Sequence, residues 1–278
     1  MANRKRRAEL AKETLTILEQ GYYQSPNGNQ INIAESIKAS VEGSILYRPQ
    51  DYQTLANSYS NLGGRYETEI EVVNETSFSG ATRLLQEGYK NIAILNFASA
   101  KNPGGGFLGG SQAQEEALAR ASAMYPCIVQ MTEMYTTNRA NRSCLYLDYG
   151  IYSPKVCVFR DDEDVLLEQP YEVSIITMPA VNAGAVKPKE RPQIAPTMKR
   201  RIRHVLWMAL ADDNDAIVLG AWGCGVFRND VSHMASYFSE VIREDARFKG
   251  AFKKIVFSVL DWSKDKRYLT PFQSVFGT

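Results

Sequence analysis

The chain has 278 residues, 44% of them hydrophobic and 23% charged, with a formal net charge of +1. That composition suits a folded globular protein with a full core, and the near-neutral charge makes no global case for a nucleic-acid or membrane partner. No apolar run approaches the ~20 residues of a membrane span. The four cysteines, Cys127, Cys144, Cys157 and Cys224, show no CxxC spacing; so few in a chain of this size exclude the disulfide-rich secreted class and make a reducing compartment the default. Only His204 and His233 are present, which argues against a His-based zinc site and a Ser-His-Asp triad, and each reads as a structural residue.

The basic start, Met1–Arg7, runs into a predicted amphipathic helix over Arg4–Glu19 and not into an apolar signal core. Arg4, Lys5, Arg6 and Arg7 read as a solvated helix face, with a nuclear signal as the sharper alternative. Tyr22–Ile33 is predicted as a hairpin turning at Pro26-Asn27-Gly28, followed by a short helix over Ile33–Ser40. Thr68–Val73 alternates Glu and apolar residues and predicts a half-buried strand.

A strand–helix beat follows. Helix is expected over Gly80–Tyr89, Ala113–Tyr125, Pro196–Ala211 and Asp230–Glu244. Strand is expected over Ile92–Phe97, Val173–Met178, Asp215–Leu219 and Lys254–Leu260. Between them lie aromatic-rich strand segments over Leu145–Phe159, interrupted by Gly150 and Pro154, and a loop over Asn182–Pro196. Alternating strands and helices predict an α/β sheet with mostly parallel members. Asp161–Asp164 lacks the spacing of a calcium loop and reads as an exposed turn.

Two strands end in glycine loops. Ile92–Phe97 leads to Asn102-Pro103 and then five glycines in the seven residues 104–110. Asp215–Leu219 leads to Gly220-Ala-Trp-Gly-Cys-Gly225. Such loops allow positive φ and let a ligand approach bare backbone, and the carboxyl ends of strands are where open α/β sheets bind ligands. If the two strands are close, both loops open on one edge and a diphosphate fits between them. Neither loop is a Walker or dinucleotide sequence. Carboxylates Glu115 and Glu116 follow the first loop. Ser111 and Gln114 fit a capping box, in which case both acids merely complement the helix dipole. A catalytic role is compatible with such a cap. Successive helical positions diverge by about 100°, so the two acids are expected to play different parts. Phe227 reads as a core anchor or as an aromatic plate for a sugar, Trp222 as core or ligand wall, and Arg228 as a phosphate contact or a solvated side chain.

Gly104-Gly105-Gly106, seven residues, then Gln114-Glu115-Glu116 resembles the signature of the poly(ADP-ribose) glycohydrolases, GGG-x(6–8)-QEE. Leu95–Gly106, Arg6-Arg7 with Glu13–Leu15, and Gly220–Asn229 are similar to the microbial-type branch, so the resemblance spans roughly Arg4 to Val259. It implies a macrodomain-like α/β fold: a mixed, mostly parallel sheet flanked by helices, with an N-terminal helical extension (residues 1–65) packed on a catalytic core (66–278). It implies metal-independent hydrolysis of ribose–ribose bonds, releasing ADP-ribose, with no cofactor. Glu116 is then the acid and Glu115 orients ribose hydroxyls. Gly104, Gly105 and Gly106 flank the diphosphate together with Gly223, Cys224, Gly225 and Val226. Phe227 and Asn102 position the terminal ribose, and Gln114 and Asn229 complete the binding set. Poly(ADP-ribose), ADP-ribose and ADP-ribosylated proteins are the expected partners, without membrane or sequence-specific nucleic-acid binding. A monomer in the cytoplasm, or in the nucleus of a eukaryote, acting in reversal of ADP-ribosylation and the DNA-damage response, completes the expectation. A catalytically silent ADP-ribose reader and a hydrolase of single ADP-ribose groups are the alternatives.

Overall fold

The computed structural model describes residues 3–59 and 61–277, so Met1 and Ala2 of the basic start lie outside the described residues. In chain order the elements are α1 (Arg4–Gln20), β1 (Tyr22–Gln24), β2 (Gln30–Asn32), α2 (Ala34–Glu42), β3 (Ile45–Tyr47) and α3 (Asp51–Ser58). Next come β4 (Glu69–Val73), α4 (Ser77–Gln86), β5 (Ile92–Phe97), α5 (Gln114–Ala121), α6 (Met124–Val129) and α7 (Thr132–Ala140). The chain continues through β6 (Gly150–Arg160), β7 (Leu166–Met178), α8 (Ile194–Ala211), β8 (Ala216–Leu219), α9 (Val231–Ser239), β9 (Lys254–Ser258) and α10 (Leu269–Phe276).

Seven strands form one sheet in the order β3-β6-β7-β5-β8-β9-β4. β6 is antiparallel to both β3 and β7, and every pairing from β7 to β4 is parallel. The expected mixed, mostly parallel sheet is therefore present. Its central strands are apolar at nearly every position because both faces are covered. In β5, Ala93 and Leu95 face the core packed by α3, α8, α9 and α10, while Ile92 and Ile94 face the core packed by α1 and α4–α7. The segment read as an extension is knitted in: β3 pairs with β6, and Thr14 of α1 donates to the Arg120 carbonyl at 2.6 Å.

Three expectations change. The helix expected over Ala113–Tyr125 breaks at Ser122, which turns extended and bridges Val158 before α6 begins. Gly150 opens β6 instead of interrupting it, and Pro154 is accommodated where the β6–β7 register shifts between Ser153 and Val156; a bulge spares the ladder bond that proline cannot donate. The helix over Asp230–Glu244 ends as α9 at Ser239 and runs on as a π-helical turn, Glu240–Glu244. β3, α3, α7 and α10 carry short or amphipathic signals that the sequence reading passed over.

His204 is structural, as expected. It stacks on Tyr52 with ring centroids 3.6 Å apart, and burial pushes its pKa down to about 3. Asp161–Asp164 is a turn in which the Asp161 carboxylate accepts from the backbone of Glu163 and Val165.

A buried charge pins the loop before β6. Arg201 of α8 is fully buried and donates to Asp148 (2.8 Å), the Pro179 carbonyl (3.1 Å) and the Leu145 carbonyl (2.7 Å). Removing the anion leaves the guanidinium buried and uncompensated. Asp148→Ala is expected to cost about 3–5 kcal/mol of stability, read as a lowered urea midpoint; a midpoint within error of wild type would show that the pair does not hold this loop.

Candidate active site

β5 and β8 are adjacent and parallel, with Ile94 opposite Val218. Both glycine loops therefore leave the same edge of the sheet, and the start of the second loop, at Gly220, lies against the Phe97 ring. The juxtaposition that the sequence made conditional is present.

The first loop is organised by α5. The expected Ser111–Gln114 capping box does not form: α5 begins at Gln114, and its cap residue, Ala113, has no side chain to bond with. Gln114 instead reaches back to the strand. Its Oε1 accepts from the Phe97 N–H at 2.8 Å, and its Nε2 donates to the Leu95 carbonyl at 2.8 Å and to Ser77 Oγ at 3.0 Å. β5 and α5 are thereby locked in one frame.

The helical twist then separates the two acids. Glu115 turns inward, 4% exposed, and accepts from the Ser99 N–H at 2.7 Å. Glu116 stays half-buried and accepts from the Gly106 N–H at 3.0 Å. Gly105 sits at φ +60°, and a Cβ there would run into both carboxylates; glycine is needed for the close approach as well as for the backbone.

The raised pKa belongs to Glu115, at about 8: burial dominates and the Glu116 charge adds, against the Ser99 N–H. Its Oε1 is a buried acceptor without a donor, which adds to the cost of keeping the carboxyl ionised.

In the second loop Trp222 is fully buried, its Nε1 donating to the Met178 carbonyl at 3.2 Å, so it is core. Asn229 is also buried, its Nδ2 donating to the carbonyls of Val181 (2.7 Å) and Gly223 (3.1 Å). The Cys224 thiol is buried, and desolvation pushes its pKa up to about 12, so it is neutral. Val226 is 82% exposed, Phe227 is half-buried and Asn102 is exposed. Arg228 adopts φ +55°, beside a cavity of about 190 Å³ that Asp230 and His233 also line.

The sequence reading missed Tyr146. Its ring lies 5.9 Å from that of Phe227 and 5.9 Å beneath the Lys101 ammonium, so it joins the two loops. It sits at φ +59° in an irregular segment, and no local pattern marks it. Ser99 was also missed, because its bond to Glu115 is made across the loop.

A family model described as microbial-type PARG, catalytic domain, matches residues 11–161. The chain belongs to the microbial-type PARG family. It is similar to the poly(ADP-ribose) glycohydrolase of Thermomonospora curvata, at 39% identity over 98% of this chain and 100% of that one, with a TM-score of 0.94. The same enzyme bound to the inhibitor ADP-HPD matches at 39% identity over 97% and 99%, TM-score 0.91. The Deinococcus radiodurans enzyme in complex with ADP-ribose matches at 45% identity over 86% and 96%, TM-score 0.82. No curated protein sequence matches the chain.

Glu115 has a measurable signature. Its folded pKa lies above that of the unfolded chain, so between about pH 4.5 and 8 the folded state holds a proton that the unfolded state releases. Stability therefore falls as pH rises through this window. Glu115→Gln is expected to remove that fall and to exceed wild type by a few kcal/mol above pH 8, while matching it near pH 4. Parallel wild-type and variant curves in thermal melts across this range would show that Glu115 is ionised.

Proposed function

We infer that the chain is a poly(ADP-ribose) glycohydrolase that cuts ribose–ribose bonds to release ADP-ribose. One observation carries the reading: a half-buried carboxylate, Glu116, held 3.0 Å from the Gly106 N–H in a loop that shares its sheet edge with a second glycine loop. The family membership and the solved relatives with ADP-ribose and ADP-HPD support it.

In the proposed reaction the protonated Glu116 gives its proton to the leaving 2′-oxygen as the bond to the anomeric carbon breaks. The electron pair departs with that oxygen, leaving an oxocarbenium-like centre that the substrate's own diphosphate stabilises. Glu116, now a carboxylate, takes a proton from the incoming water, which adds to the anomeric carbon. One residue does acid and then base work, unlike the usual two-carboxylate plan. Glu115 orients ribose hydroxyls. Gly104, Gly105, Gly106, Gly223, Gly225 and Val226 form the diphosphate channel, and Phe227 and Asn102 flank the terminal ribose. Gln114, Cys224 and Asn229 act by holding the shape of the loops, since their polar groups are engaged or buried. The described residues of the segment 1–65 form one compact unit with the core, since β3 adds a strand to its sheet. We assign the enzyme to the cytoplasm as a monomer that reverses ADP-ribosylation, including that of the DNA-damage response. The described residues include no helix long and apolar enough to cross a membrane.

Digestion of purified poly(ADP-ribose), with products resolved by length, tests the reading. Wild type is expected to release ADP-ribose, and Glu116→Ala to lose turnover by at least the ~10²–10⁴-fold typical of a general acid while still binding ADP-ribose in calorimetry. Binding by both proteins with release by neither would indicate a reader or a hydrolase of single ADP-ribose groups.

No step of this mechanism runs through a metal. Full activity is expected to persist in excess chelator; loss that Mg²⁺ restores would overturn the mechanism.

A further inference from the structure

Tyr146 is held at φ +59°, in the left-handed region that favours glycine and, after it, asparagine. A tyrosine stays there only where its surroundings over-determine the backbone, and here they do. Before it, the Cys144 carbonyl accepts from the Asn182 N–H at 3.0 Å, and the Leu145 carbonyl from the buried Arg201 at 2.7 Å. After it, the Leu147 N–H donates to Oδ1 of the buried Asn138 at 2.9 Å, and Arg201 also holds Asp148. The segment is fastened on both sides of residue 146, and none of these bonds uses the tyrosine side chain. Glycine or asparagine would serve that backbone with less strain, so the ring has another task.

The ring is in the site. It meets Phe227 with centroids 5.9 Å apart and planes 51° apart, a favourable tilted aromatic contact. The Lys101 ammonium lies 5.9 Å from its centre, within cation–π range. Lys101 belongs to the first glycine loop, two residues after the Ser99 whose N–H binds Glu115 and one before Asn102. Phe227 belongs to the second loop. Its backbone is fixed by other means: its carbonyl accepts from the Gly184 N–H at 3.0 Å, and the Arg228 N–H closes a turn on the Gly225 carbonyl at 3.1 Å. Those bonds leave the half-buried Phe227 ring free to turn about its side-chain torsions, and among the described residues Tyr146 is its only ring contact.

We propose that Tyr146 is a positioning residue for the terminal ribose: its ring sets the Phe227 ring against the sugar, and its contact with Lys101 ties that plate to the loop carrying Asn102. This rests on the reading of Phe227 and Asn102 as flanking that sugar. An aromatic plate on a glycine-rich loop otherwise has to be ordered each time a ligand arrives, and ordering it beforehand raises affinity for the part of the ligand it touches.

Calorimetry on the intact chain with two ligands tests this: ADP-ribose, and ADP, which lacks the terminal ribose. Tyr146→Asn deletes the ring at a residue type that tolerates the backbone. It is expected to weaken ADP-ribose about threefold to tenfold, the range of an aromatic contact of this geometry, with ADP affinity and the urea midpoint held at wild-type values. Tyr146→Phe restores the preference for ADP-ribose, since the ring persists. Phe227→Leu lowers the preference as well, and adding Tyr146→Asn to it removes nothing further, because the ring to be positioned is gone. Tyr146→Asn with the full wild-type preference would overturn the proposal. Equal losses for both ligands would overturn it in favour of a scaffold of the loop, and additive losses in the double variant would show that Tyr146 acts apart from Phe227. A wild type that binds both ligands equally overturns the Phe227 plate and Tyr146 with it. Cleavage is not read here, so a chain that prefers ADP-ribose but releases none from polymer fails the glycohydrolase reading alone.

Discussion

The amide of Gln114 is the fastening on which the site depends. Its three hydrogen bonds reach the backbone of β5 and the first turn of α4, so the end of a strand and the start of a helix cannot move independently. Everything else about the two acids follows from helical geometry. One residue further on, the side chain enters the core under Ser99; two residues further on, it emerges against Gly106. A strand–helix junction fixed by a side-chain amide does what a conventional cap cannot. It sets the rotation of the helix about its axis, and that rotation decides which carboxylate is buried and which faces the loop.

Burying Glu115 has an electrostatic cost that no cation offsets. Elsewhere the fold pairs its buried charges, as Arg201 with Asp148 and Lys254 with Glu71. Glu115 has one backbone N–H on Oε2 and an orphan Oε1. Neutralising it by protonation is the cheaper solution, and a neutral Glu115 places no second negative charge beside Glu116. The conformational work is shifted to glycine. Gly105 lets the loop pass over the carboxylates, and Gly110 lets α1 press on the loop from outside.

The central architecture was legible because local and global signals agreed. Ile92–Phe97 is apolar at every position but Asn96, as suits a strand covered on both faces, and its range is the same in the structure. The pairing of the glycine loops could be posed as a condition on strand order, and strand order met it. What stayed hidden was whatever depends on atoms brought together from afar. Ser111 and Gln114 have the spacing of a capping box, yet tertiary bonds to β5 satisfy Gln114 better, and local propensity lost. Tyr146 links Lys101 to Phe227, three residues far apart in the chain. β3 is three residues long, too short for any periodicity to register.

α1 shows the same limit from the other direction. Its basic run was visible as a pattern, but a solvated face and a functional surface look alike along the chain. Its visible task in the structure is mechanical: Arg4 and Arg7 donate to the carbonyls of Gly109 and Gly110, and so press the start of the helix on the loop that holds Glu116. Contacts between residues so far apart in the chain leave no local pattern from which that task could be read.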